Sequence, residues 1–302
     1  MATPRSIPYP PGRLKVWLLA IRLPTLAAAV APVAVGTAVA VGDGVFDALP
    51  ALAALIGALA IQIGTNLAND VSDFRRGADT HRRVGPPRVT QAGLLSQRQV
   101  LTGMSLAFGV GVLAGLYLTA VAGWPVIAIG IASIIAGVAY TAGPWPFGYH
   151  GLGEVFTFVF FGVIAVVGTY FVQAETVTWV AVLASVPVGL TVTAILVVNN
   201  IRDVDTDREA GKRTLAVRIG RGHTRQLFLA MVIGAYLWTA ALSMGTAFSS
   251  WVLLSWLSSP LAAAPLRVVL TRVDGPGLNR ALRATARLHL AFGLLLAIGL
   301  AV

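Results

Sequence analysis

Nine runs of mostly apolar residues, each about as long as a bilayer is thick, leave this chain few ways to fold. They lie at 20–41, 48–68, 99–119, 124–141, 154–173, 179–198, 226–245, 249–266 and 285–302. In lipid every backbone amide and carbonyl must be satisfied internally, so an apolar run of this length is read as a spanning helix. The chain is 57% hydrophobic and only 11% charged, with a mean hydropathy of +0.80, which fits multi-spanning membrane proteins. The expected fold is an all-α integral membrane bundle of nine transmembrane helices. Residues 1–15 are expected to form a short cytoplasmic segment without a cleavable signal, and 16–302 a single transmembrane domain. There is no cysteine, which excludes disulfides and thiolate chemistry.

All 22 Lys and Arg fall on one side of this topology. Four stand at or before the first span, and six lie between spans two and three. Seven more lie between spans six and seven, and five between eight and nine. The opposite loops carry only acids, Asp43, Asp47 and Glu175. Lys and Arg mark the cytoplasmic side, so the N-terminus is expected there and the C-terminus outside, in a cell membrane. This bias accounts for the net charge of +10 and removes the case for nucleic acid as a partner.

Two of the basic loops carry an acidic pattern. After span six runs Asn199-Asn-Ile-Arg202-Asp203-Val-Asp-Thr-Asp207, and after span two Asn69-Asp70-Val-Ser-Asp73. Asn199, Asp203 and Asp207 are four apart, as are Asn69 and Asp73, so each set shares a helix face. The matching placement suggests an internal repeat, with both motifs at cytoplasmic helix ends. Hard oxygen donors beside fixed cations suit a Mg²⁺-bound phosphate or diphosphate. The candidate metal ligands are Asn69, Asp70, Asp73, Asp79, Asn199, Asp203 and Asp207. Arg88, in a Pro-Pro turn, is a candidate diphosphate clamp. Lys212 is one of only two Lys against twenty Arg, and supplies a compact charge for phosphate.

The loop Tyr140 to Glu154 is cytoplasmic by count yet holds no Lys or Arg. Its aromatics form an interfacial belt or line a site for an aromatic substrate or a developing carbocation. Tyr140, Tyr149 and His150 are candidates there. Arg22, at the edge of the first span, either snorkels or faces the site.

These motifs resemble the UbiA superfamily of intramembrane aromatic prenyltransferases, over nearly the whole chain. Asn69-x3-Asp73 looks like its first Asp-rich motif and Asn199-x3-Asp203-x3-Asp207 like its second. The segments Asn66-Leu-Ala-Asn69-Asp70, Arg83-Val-Gly-Pro, Tyr140-Thr-Ala-Gly-Pro, Gly151-Leu-Gly-Glu154 and Ala210-Gly-Lys212-Arg213 resemble the branch acting on 1,4-dihydroxy-2-naphthoate in menaquinone synthesis. The resemblance implies Mg²⁺-dependent transfer from a polyprenyl diphosphate to that aromatic acceptor, with loss of CO2. It implies roles for Asp73, Asp203, Asp207 and Lys212 in catalysis. Arg22, Arg88, Tyr140, Tyr149, His150, Arg202 and Lys212 would contact substrate. The chain departs from the pattern where many members carry a second acid four residues after Asp73. Gly77 stands there, with Asp79 offset by two.

The alternatives are other acceptors of the same superfamily (hydroxybenzoate, homogentisate, haem or a phosphoribose), a CDP-alcohol phosphotransferase and a membrane transporter. The phosphotransferase motif is one continuous run, whereas these acids are split. A transporter site sits near the bilayer midplane, whereas these motifs sit at span ends.

Overall fold

The computed structural model describes residues 12–78 and 84–302. All of its regular elements are helical. The helices are α1 (Arg13–Ile21), α2 (Ala27–Gly42), α3 (Ala48–Arg75), α4 (Gln97–Ala122), α5 (Pro125–Ala139) and α6 (Gly153–Thr157). They continue as α7 (Ala165–Ala174), α8 (Trp179–Glu209), α9 (Leu215–Ser243), α10 (Ser259–Thr271) and α11 (Gly275–Ala301). A π-helical turn, Phe158–Ile164, joins α6 to α7.

Among the described residues eight helical segments are long and apolar enough to cross a membrane, one fewer than expected. The difference is α5, whose 15 residues reach about 22 Å at 1.5 Å per residue, short of a hydrocarbon core of roughly 30 Å. Expected span four ran on to 141, but the chain turns at Tyr140 and Thr141, which face the site described below. The first apolar run is also broken. Arg22 takes a left-handed conformation (φ 55) between α1 and the 3-10 turn Leu23–Leu26. The spans before the two motifs, by contrast, continue as helix beyond the apolar run, to Arg75 and Glu209. The acidic residues therefore sit on the last turns of α3 and α8, the two motif helices.

Each motif helix packs against the helix that follows it, α3 on α4 and α8 on α9. The helices α2 and α8 are the most enclosed. Leu106, Val110, Leu113 and Leu116 of α4 are exposed at helical spacing, as a lipid-facing stripe would be. Small residues allow the closest crossings. A Cβ on Gly162 in the π-helical turn would lie 2.5 Å from the Cα of Gly189 in α8. Helices in lipid gain attraction mainly from such contacts, because burial against lipid brings little hydrophobic gain.

Candidate active site

Asp73 is the hub at the end of α3. It is 2% exposed, so its charge must be met locally. Arg88 donates to Oδ2 at 3.1 Å, and Lys212 Nζ and the Tyr149 hydroxyl donate to Oδ1 at 3.2 and 2.6 Å. Lys212 lies in the turn after α8, where its backbone N–H bonds the Asp207 carbonyl at 2.8 Å. Its ammonium also stands 4.6 Å from the centroid of the Tyr149 ring. One carboxylate thus gathers the loop after α3, the loop after α5 and the turn after the second motif. Thr141 adds a further tie, donating to Asn69 Oδ1 at 2.8 Å.

The second motif is organised around Arg202. Its guanidinium donates through Nε to Asp203 Oδ1 at 2.8 Å and through NH2 to Oδ2 at 2.5 Å. It also reaches Asn199 Oδ1 at 2.8 Å and Asn279 Oδ1, on α11, at 2.9 Å. Asn279 in turn donates to the Val84 carbonyl at 3.1 Å, which anchors the loop that carries Arg88. Asp207 is half-buried, and Tyr140 lies within electrostatic reach of Asp73, Asp207, Glu154 and Arg22.

Not every acid is used alike. Asp70 is 2% exposed and accepts the backbone N–H groups of Val89 and Thr90, each at 3.1 Å. It pins the Arg88 loop to α3. His150 bonds the Pro146 carbonyl through Nδ1 at 2.9 Å and stacks on Trp145, within its own turn. Arg22 reaches the Asn66 carbonyl at 3.4 Å. Asp79 lies outside the described residues.

Among the described residues no three His or acidic side chains converge into a self-contained metal cage. Mg²⁺ rarely uses one, since it keeps several waters and binds through one or two carboxylates plus substrate phosphates. Asn69 and Asp73 on the last turns of α3, and Asn199, Asp203 and Asp207 towards the end of α8, offer hard oxygen donors of that type. The neighbouring Arg88, Arg202 and Lys212 are suited to phosphate oxygens.

Behind this cluster an apolar cavity of about 200 Å³ runs between α2, α3, α4, α5 and α7. Tyr140, Thr65 and Phe147 line it near the charged cluster, and Leu118, Val126 and Val172 line it further along. Several lining positions are glycines with open space before them, among them Gly115, Gly130 and Gly168. A ladder of rings walls the head. Phe147 stacks on Phe156 at 3.9 Å, Phe156 on Phe160 at 6.0 Å, and Tyr140 meets Phe147 edge-on at 5.5 Å.

Residues 29–295 match the model of the UbiA prenyltransferase family. The 1,4-dihydroxy-2-naphthoate octaprenyltransferase of Escherichia coli is 37% identical, over 96% of each chain. That of Mycobacterium leprae is 40% identical, over 89% of this chain and 90% of its own. Among solved structures, a UbiA homologue from Aeropyrum pernix superposes with a TM-score of 0.69 at 15% identity, over 92% of this chain and 98% of its own. A UbiA homologue from Archaeoglobus fulgidus, bound to DMAPP and Mg²⁺, gives 0.62 at 14% identity, over 93% and 99%. An all-helical bundle with eight helices long and apolar enough to cross a membrane agrees with these likenesses: the chain belongs to the UbiA prenyltransferase family.

Proposed function

We propose that this protein transfers a polyprenyl group from polyprenyl diphosphate to 1,4-dihydroxy-2-naphthoate with loss of CO2. The product at that oxidation level is the quinol, demethylmenaquinol, the reduced form of demethylmenaquinone, and the reaction needs Mg²⁺. The observation that carries the reading is the junction of the Asp73–Lys212–Arg88 cluster with the apolar cavity. A polar head and a long apolar tail fit that junction together, and relatives up to 40% identical are named for this transfer.

Asn69, Asp73, Asn199, Asp203 and Asp207 are assigned to hold Mg²⁺, which supplies charge neutralisation of the leaving diphosphate when bound. Arg88, Arg202 and Lys212 hold the phosphate oxygens. As the allylic C–O bond breaks, its electron pair goes to the diphosphate. These fixed cations gain most there, in the transition state, where the negative charge is largest. The naphthoate ring then forms a carbon–carbon bond to the allylic carbon, and its carboxylate leaves as CO2, returning electrons to the ring. The isoprenoid tail lies along the cavity, and the Tyr140–Phe147–Phe156 rings face the developing cation. Asp70 serves the site by holding the Arg88 loop. The Arg and Lys bias supports a cytoplasmic site, and α5, whose C-terminus reaches the site while its start lies beyond the far end of α4, supports a ninth crossing.

The test is transfer in liposomes with a long polyprenyl diphosphate and Mg²⁺, offering 1,4-dihydroxy-2-naphthoate and 4-hydroxybenzoate separately. Prenylated product and CO2 with the naphthoate alone are expected. Product with the benzoate alone would replace the acceptor and keep the family chemistry.

A further inference from the structure

Glu154 opens α6 and is 4% exposed. Asn200 Nδ2 donates to its Oε1 at 2.9 Å. Its Oε2 is buried and has no hydrogen-bond partner among the described residues, where Glu154 also makes no ion pair. A carboxylate oxygen closed off from water and from every donor is costly to keep in that state. Tyr140, which lines the head of the cavity, lies within electrostatic reach of Glu154. The neighbouring Gly153 is so close to Tyr140 that a Cβ there would lie 3.4 Å from the phenol oxygen.

Of the two substrates in the proposed reaction, only one carries a donor. An ionised diphosphate and a hydrocarbon tail have none, and a phosphate would be repelled by a carboxylate. A dihydroxynaphthoate has two O–H groups. Resting on that functional reading, we propose that Glu154 Oε2 accepts a hydrogen bond from a ring hydroxyl of the aromatic acceptor. Glu154, oriented by Asn200, is then the residue that makes the enzyme demand a free hydroxyl at that ring position. Because Oε2 is closed off in this structure, the hydroxyl reaches it only when a neighbouring side chain turns aside.

The consequence is specific. In Glu154→Gln the amide oxygen stays with the Asn200 donor, and an N–H₂ then faces the ligand, so an acceptor becomes a donor. A site built to bind a hydroxyl rejects analogues without it, because its own polar group is stranded. The experiment measures kcat/KM for 1,4-dihydroxy-2-naphthoate and for its two monomethyl ethers, in wild type, Glu154→Gln, Glu154→Asp and Asn200→Ala. Wild type is expected to lose on the order of 10²-fold with one ether. Glu154→Gln is expected to lose about as much with the parent compound and to discriminate against that ether by no more than about threefold, since the two changes remove one contact. The KM for the prenyl donor stays near the wild-type value, and Glu154→Asp falls between.

If Glu154→Gln discriminates as wild type does, or if its loss falls equally on donor and acceptor, the proposal is overturned. Should that variant fail to fold, Asn200→Ala decides in its place. It retains the carboxylate and frees its orientation, so discrimination should weaken, and unchanged discrimination overturns the proposal. Wild type that leaves the parent naphthoate unprenylated refutes the functional reading itself, before any variant is compared, and this proposal falls with it.

Discussion

Lys212 Nζ and Asp73 Oδ1 are 3.2 Å apart although 139 residues separate them in sequence. This contact joins the end of the first motif helix to the turn beyond the second. Both side chains are nearly buried, at 11% and 3% exposed, so neither can be neutralised by solvent. Substituting Asp73 by Asn keeps the shape and removes the one carboxylate that Arg88 and Lys212 share. Breaking a buried pair on one side costs about 3–5 kcal/mol, and losing a group that holds transition-state charge costs about 10²–10³ in rate. Lys212→Met should be milder in stability, because Arg88 still neutralises Asp73, yet comparable in rate. Thermal unfolding in detergent and prenyl transfer, measured on both variants, check this. Equal stability losses would show that Arg88 does not share the load.

Asp70 separates from the metal set in a different test. Its two hydrogen bonds to the Val89 and Thr90 amides are charge-assisted, each worth about 1.5–3 kcal/mol. Asp70→Ala is expected to loosen the 84–95 loop and raise its proteolytic sensitivity. It should lower activity by displacing Arg88, which raises the KM for the diphosphate donor more than it lowers kcat. A collapse of kcat with an intact loop would instead give Asp70 a direct part in the chemistry.

The two motifs were legible because Asn and Asp at four-residue spacing, after an apolar run, have few structural uses. What spacing could not say is which acid turns where. Asp70 and Asp73 are three residues apart on one helix, at about 100° per residue, close enough in angle to look like one set. Only the path of the 84–95 loop assigns one to amides and the other to cations. The pairings of Thr141 with Asn69, of Asn200 with Glu154 and of Asn279 with Arg202 were not legible, since each joins residues 46 to 77 positions apart and neither local spacing nor composition points across such a gap. Glu154 stood in the sequence as part of a shared segment, and burial was needed to show that it keeps an oxygen unpaired. The apolar run at α5 read as longer than its 15 helical residues because composition does not register where a helix ends, at Tyr140.

The cavity predicts donor length. Gly168 lines it and faces open space, so a larger side chain there fills the channel without forcing the helices apart. Gly168→Leu should keep full activity with short donors and lose at least about tenfold with long ones, since a blocked tail forfeits roughly 0.8 kcal/mol per methylene left unburied. Product analysis across a series of polyprenyl diphosphates reads this directly. Gly162→Ala is the contrasting case. Its Cβ would meet Gly189 at 2.5 Å, so the π-helical turn and α8 must separate, at a cost of about 1–3 kcal/mol, and the melting temperature falls while any residual activity keeps its length preference.

Metal dependence should appear in stability as well as in turnover. Chelation with EDTA is expected to abolish transfer, and Mg²⁺ to restore it. Asp73 and Asp203 are held by cations in the protein alone, so Mg²⁺ by itself competes poorly for them. Mg²⁺ together with inorganic diphosphate supplies both charges, letting Arg88, Arg202 and Lys212 move onto phosphate oxygens while the carboxylates take the metal. A ligand bound only by the folded state stabilises it by about 2.7 kcal/mol at a hundredfold excess over Kd. The melting temperature should therefore rise clearly with the pair, and little with either component alone. Asp203→Asn should lose most of this rise, and Asp70→Asn should keep it, because its carboxylate is committed to the loop amides. A rise of the same size in both variants would move the metal away from the second motif.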